Sequence, residues 1–320
     1  MPGQRSCGPH QRQSSAPHRR RSCGPSPERT ALTSPPWLAR AAPPLFILIW
    51  ASGYVVAKAV APYAEPLTFL LLRYAGVVGL MLLLALAGRA RWPSRRDALH
   101  LAVAGIGIQA IYLGSVWDAI RHGMPAGVAA LIVNLQPVLT AALAVFVHER
   151  VSARQWLGIA LGFAGVVLVV AHKLGTEGMT FWPVTLCAVA LLGMTLATLY
   201  QKRFVSHFDL RTGQVVQFSA AFVFTLPFML AFEHGQVQWN MPIVASLLWS
   251  VFVLTGGGIS LMFYMLREGQ ATKVTGLMYL VPGVTALMAW AMFGETLGAN
   301  AVLGMGVTLL GVYMVVKPKG

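Results

Sequence analysis

The sequence predicts an all-α integral membrane protein of ten transmembrane helices, arranged as two inverted five-helix repeats. Three observations predict it. Apolar residues make up 56% of the 320 positions and charged residues only 11%, with a mean hydropathy of +0.65, whereas soluble domains carry about 25% charged residues. Apolar runs long enough to cross roughly 30 Å of hydrocarbon as helices follow one another almost end to end. The chain also aligns with itself at a shift of 146 residues. Each copy holds five apolar runs, so the second copy enters the bilayer from the opposite face.

Taken in order, residues 1–42 are rich in Arg, Ser and Pro and repeat Arg-Ser-Cys-Gly-Pro at 5–9 and 21–25. They show no apolar periodicity and are read as a disordered cytoplasmic tail. Cys7, His10, His18 and Cys23 in this tail have metal-like side chains. Nothing around them supplies a supporting shell, so neither a metal nor another cofactor is expected. The first span runs from Pro43 to Val60. Ala59-Val60-Ala61 imitates a signal-peptide cleavage site, but Lys58 interrupts the end of the run and the basic region before it is too long, which marks a retained helix. The remaining spans are 66–87, 98–117, 125–147, 153–171, 180–200, 213–232, 242–264, 272–293 and 298–316. The first repeat therefore occupies 43–173 and the second 180–317.

Charge orients the spans. A net charge of +14 would suggest nucleic acid in a soluble chain. Here the cations lie between apolar runs, so topology accounts for them and no nucleic-acid partner is expected. The tail, the even-numbered loops and the C-terminus hold 20 of the 24 Lys and Arg, against Arg121 and Lys173 in the opposite loops. Both termini are therefore placed in the cytoplasm of a cell whose inner (plasma) membrane holds the protein. Cys187 lies in a span and no outward loop carries a cysteine pair, so no disulfide framework is expected.

The shift of 146 superposes Arg121 on Arg267, Gly123 on Gly269, Leu131 on Leu277, Glu149 on Glu295, Gly158 on Gly304 and Gly165 on Gly311. Shifts of 144 and 145 pair Lys58 with Lys202 and Pro137 with Pro282. The first copy reads Ile49-Trp50-Ala51-Ser52-Gly53 with Lys58, then Pro66-Leu67-Thr68 leading to Arg73, Gly127 to Pro137, Glu149-Arg150 and Gly158 to Gly165. The second reads Lys273 to Pro282, Gly294-Glu295-Thr296 and Gly304 to Gly311. These motifs resemble the EamA family of the drug/metabolite transporter superfamily over residues 43–317. The Pro-to-Glu spacing is 12 in the first copy against 13 in the second, where the family pattern has the latter. The resemblance implies a ten-helix exporter of metabolites or drugs, without singling out one substrate.

A charge inside a span costs about 2.5–3.5 kcal/mol at the bilayer centre, so Lys58 and Arg73 require a reason. Snorkelling accounts for Lys58 as readily as substrate binding does; Arg73 lies deeper and favours function or interhelix pairing. Asp118, Glu149 and Glu295 all sit at span ends. Unpaired interior cations without a buried acid suit a substrate that carries a carboxylate or another anion. Gln109, Asn134, Gln136 and Gln217, with Tyr112, Tyr279, Thr195 and Thr255, lie within spans, where each polar group needs a partner. Helix-to-helix hydrogen bonds explain any one of them as well as ligand contact does. Asn134 and Gln136 precede Pro137, and Tyr279 precedes Pro282, so the two proline-interrupted helices are expected to face each other across the substrate cavity. Gly257, in the run Gly256-Gly257-Gly258, is read as a hinge or a site of close backbone approach. Gly158, Gly162, Gly165, Gly304 and Gly311 are read as packing positions.

The function these features imply is a secondary transporter working by alternating access, carrying a small molecule such as an amino acid, an amino-acid derivative or an organic anion. A lipid-modifying membrane enzyme would need His, Asp or Glu clustered at one interface, and the eight His are scattered. A non-transporting subunit would leave the inverted duplication without a purpose. A homodimer is left open.

Overall fold

In the computed structural model, the described residues are 36–144, 152–176, 180–205, 208–267, 277–295 and 298–316. Nine of their helices are long and apolar enough to cross a membrane, and a tenth, shorter one is also apolar. We number them α1 (Pro36–Val60), α2 (Pro66–Ala87), α3 (Arg95–Arg121), α4 (Ala126–Leu143), α5 (Ala153–Thr176), α6 (Phe181–Phe204) and α7 (Leu210–Phe232). Then come α8 (Met241–Met262), α9 (Val281–Phe293) and α10 (Ala299–Val316). Helix α1 begins at Pro36, ahead of the expected Pro43, and carries Pro43 and Pro44 inside it. The rest of the expected tail, the end of the fourth span with Glu149 and Arg150, and the start of the ninth span lie outside the described residues.

Local chemistry sets the helix ends. Ser94 accepts from the amide of Asp97 at 3.1 Å, Asn240 from Ile243 at 3.0 Å and Asp209 from Arg211 at 3.0 Å, each satisfying an orphan amide of a first turn. Pro66 opens α2, where a missing N–H costs nothing. Gly294, at φ +67°, closes α9 in the left-handed conformation. Glu233 at the end of α7 accepts from the amides of Leu67 and Thr68 at 2.8 and 2.7 Å and caps α2 in trans. Glu65 returns the contact to the amides of His234 and Gln236.

Packing joins helices that occupy the same place in the two halves of the chain. Helix α2 lies on α7, the first part of α4 on α9, and α5 along α10. The α5–α10 seam is built from glycine, as expected. A Cβ on Gly158 would strike the Gly311 carbonyl, and one on Gly165 the Gly304 carbonyl. Backbones this close gain van der Waals contact that larger side chains would forbid. Helices α1 and α4 are the most enclosed, with half or more of each span buried, against 28% for α7. Leu83, Val223, Leu230, Phe232 and Leu287 project from the outer faces, an apolar girdle suited to lipid.

Three helices depart from α geometry. Helix α3 is π-helical over Ile106–Tyr112, and α8 over Trp249–Gly258. The shift of 146 that aligns the two copies carries Ile106–Tyr112 onto Phe252–Gly258, inside the second π segment. Helix α4 breaks at Asn134 and Leu135 and resumes at Gln136. A matching turn at Tyr279 and Leu280 precedes α9. Pro137 and Pro282 thus fall in the first turn of the helix that follows each turn, where proline is accommodated.

Candidate functional site

The two π segments meet at a cavity of about 130 Å³ lined by α1, α2, α3, α6, α7 and α8. Gln109 and Tyr112 enter it from the first π segment, and Leu254 and Thr255 from the second. A π turn adds one residue to the helix and so changes which side chains face inward, a device common at functional sites. Hydrogen bonds fix both. The Tyr74 hydroxyl donates to the Gln109 carbonyl, and Thr255 donates to the Ser250 carbonyl at 3.0 Å, five residues back.

The Trp50-Ala51-Ser52-Gly53 segment of α1 sits at the hub. Trp50 and Gly53 line the cavity. Ser52 accepts from the Trp249 indole at 2.8 Å, and the Ala51 carbonyl accepts from Thr285 of α9 at 3.4 Å. One turn of helix therefore contacts the cavity, α8 and α9 at once. Tyr54, one residue on, lines the cavity and shares a 3.1 Å hydrogen bond with Tyr112 of α3.

Arg73 supplies the charge. It lines the cavity from α2 with only 8% of its surface exposed. Its Nε has no hydrogen-bond partner, and no carboxylate pairs with it among the described residues. A buried guanidinium that lacks an acceptor is costly, and a bound anion would offset that cost. Aromatic rings share the cavity wall with it, each braced by a second ring: Trp117 stacks on Phe69 at 5.1 Å, and Phe218 tilts against Tyr74 at 5.7 Å.

The residues singled out from sequence separate into two groups. Arg73 and Gln109 share the cavity, together with Tyr112 and Thr255. Lys58, Asn134, Gln136, Gln217 and Tyr279 do not line it. Lys58 pairs with Glu295 at 2.9 Å, which corrects the expectation of two unpaired interior cations. Asn134 donates to the Ala130 carbonyl of its own helix at 2.8 Å. Gln136 donates to Thr198 at 3.2 Å, and Gln217 to Gln201 at 2.9 Å. The Tyr279 hydroxyl is buried without a partner among the described residues, and its ring packs near Leu135 and Val138. Pro137 and Pro282 do not line the cavity either, because the two interrupted helices are packed against each other: a Cβ on Gly127 of α4 would strike Ala286 of α9. Gly257 lies in the second π segment, between the lining residues Thr255 and Ile259. Trp50, Tyr54, Trp117, Met194 and Phe218 were not anticipated, since aromatic and thioether side chains in apolar runs carry no signal that separates cavity from core.

Comparison with known proteins then decides the family. The EamA-like transporter family matches residues 45–171 and again 181–317, the two halves described above. The chain belongs to that family. It is 24% identical over 275 residues to the Escherichia coli protein designated "Uncharacterized inner membrane transporter YedA", covering 85% of this chain and 88% of that one. It is 25% identical to the Salmonella typhimurium protein designated "Probable amino-acid metabolite efflux pump", with 84% and 92% covered. It is 26% identical to the Bacillus subtilis protein designated "Uncharacterized transporter YvbV", with 84% and 88% covered. One solved structure shares the fold at a TM-score of 0.59 and 17% identity, over 87% of this chain and 96% of that one. Family and relatives point to a membrane transporter and not to an enzyme.

Proposed function

We propose that this EamA-family transporter is a secondary carrier that exports a small organic anion, bound at Arg73 in the cavity between the helices, by alternating access. Arg73, buried in the cavity wall without an acceptor, carries the reading. In the proposed arrangement α1–α5 and α6–α10 are inverted halves with both termini in the cytoplasm. The internal alignment, the corresponding π segments and the pairing of α2 with α7, α4 with α9 and α5 with α10 support it. Cavity residues come from helices of both halves, so rocking one half against the other would re-expose the bound anion on the other side. Efflux is the direction in the printed name of the Salmonella relative.

The test is flux of organic anions in proteoliposomes with Arg73→Gln, which removes the charge and keeps a polar chain of similar reach. Losing one partner of a desolvated charge pair costs about 2–5 kcal/mol, so flux at low substrate should fall roughly 30-fold or more. Normal flux in a variant that elutes as the folded protein would discard Arg73 as the anion site.

A further inference from the structure

The charge balance of the Arg73 cavity narrows the substrate class further; this inference rests on the anion reading above. Among the described residues, the wall provides one cation, one side-chain amide from Gln109, and the hydroxyls of Tyr54, Tyr112 and Thr255, but no carboxylate. Asp118, next in sequence to the lining residue Trp117, is bonded to His122 at 3.1 Å. A ligand carboxylate therefore finds its counter-ion in Arg73, whereas an ammonium on the same ligand finds none.

That ammonium would have to leave water without an opposite charge to receive it, within several ångströms of a guanidinium of like sign. Aromatic faces can hold a cation, yet one face of Trp117 is already covered by Phe69. Size adds a second limit. The cavity holds about 130 Å³, close to the roughly 150 Å³ apolar cavity that admits benzene. One ring, or a branched chain of similar bulk, is the apolar body it matches, with the carboxylate end toward Arg73.

We infer that the cavity selects a monocarboxylate with a single-ring-sized apolar body and no free ammonium over the zwitterionic amino acid with the same body. Aryl- and alkyl-carboxylic acids, and compact amino acids with a blocked amine, meet this description.

A set of ligands matched in body and differing in headgroup tests it: hydrocinnamate, phenylalanine and phenethylamine, titrated against the full-length protein in nanodiscs by tryptophan fluorescence. Hydrocinnamate should bind at least about tenfold more tightly than phenylalanine, and phenethylamine should bind least. Arg73→Gln should weaken hydrocinnamate at least about tenfold and shrink its advantage over phenylalanine. Phenylalanine binding as tightly as hydrocinnamate, with both dependent on Arg73, would overturn the preference while leaving the anion site in place. Binding indifferent to Arg73→Gln would overturn both, and binding by none of the three would overturn the ring-sized body.

Discussion

The Lys58 ammonium and the Glu295 carboxylate lie 2.9 Å apart, tying the C-terminal end of α1 to the segment just after α9. In the proposed topology both ends reach the outer face, so the pair closes one rim of the carrier across its two halves. The side chains are 30% and 18% exposed, which limits the contribution to about 1 kcal/mol after solvent screening. Glu295→Gln should raise the labelling rate of a cysteine at Val116 by an impermeant thiol reagent about threefold to fivefold. The double exchange Lys58→Glu with Glu295→Lys should return it to the starting rate, and unchanged labelling in the single variant would show that the pair does not hold the rim.

Substrate protection separates the cavity from the paired helix breaks. In a background with Cys7, Cys23 and Cys187 changed to serine, a cysteine at Gln109 should be shielded by a transported anion. A cysteine at Asn134, whose native side chain bonds back to its own helix, should not be. Protection at 134 and not at 109 would move the site to the α4 break.

The glycine seam makes a stability prediction with an internal control. Gly165→Ala places a methyl group against the Gly304 carbonyl and Thr308, forcing α5 and α10 apart. Overpacking of this kind costs about 1–3 kcal/mol and should lower the thermal midpoint in detergent by several degrees. Gly306→Ala, with open space around its Cβ, should leave the midpoint unchanged. Equal midpoints for the two variants would dismiss the close approach.

The run Gly256-Gly257-Gly258 can be tested for motion apart from folding. Alanine at 256 and 257 meets only ordinary contacts, at 3.8 and 3.9 Å, so the double variant should fold. Each Gly→Ala change stiffens a helix by about 1 kcal/mol, and a hinge should register that as slower turnover with substrate affinity retained. Unchanged turnover would leave these glycines as packing for the π segment.

Much of the architecture was legible in sequence because a bilayer makes structure local. Each span must satisfy its own backbone and cover its own length in apolar residues, so α2 at Pro66–Ala87 and α10 at Ala299–Val316 could be placed from hydropathy to within a residue or so. The glycines at 158, 165, 304 and 311 were equally readable, since in an apolar helix a recurring absence of side chain has few uses besides close approach. Arg73 was singled out by the cost of its charge alone.

Which polar residues share a cavity was decided only by the tertiary structure. Gln109 enters it while Asn134, Gln136 and Gln217 find hydrogen-bond partners elsewhere, although all four looked alike as amides in apolar runs. The face a residue presents depends on helix rotation, and each π turn inserts one residue into a period of 3.6, turning the following side chains by roughly 100°. That rotation is set by neighbours such as Tyr74, bonded to Gln109, and Ser52, bonded to Trp249, not by the segment itself. The Lys58–Glu295 pair has the same origin: its partners are distant in sequence, and only the packing of α1 on α9 brings their charges together.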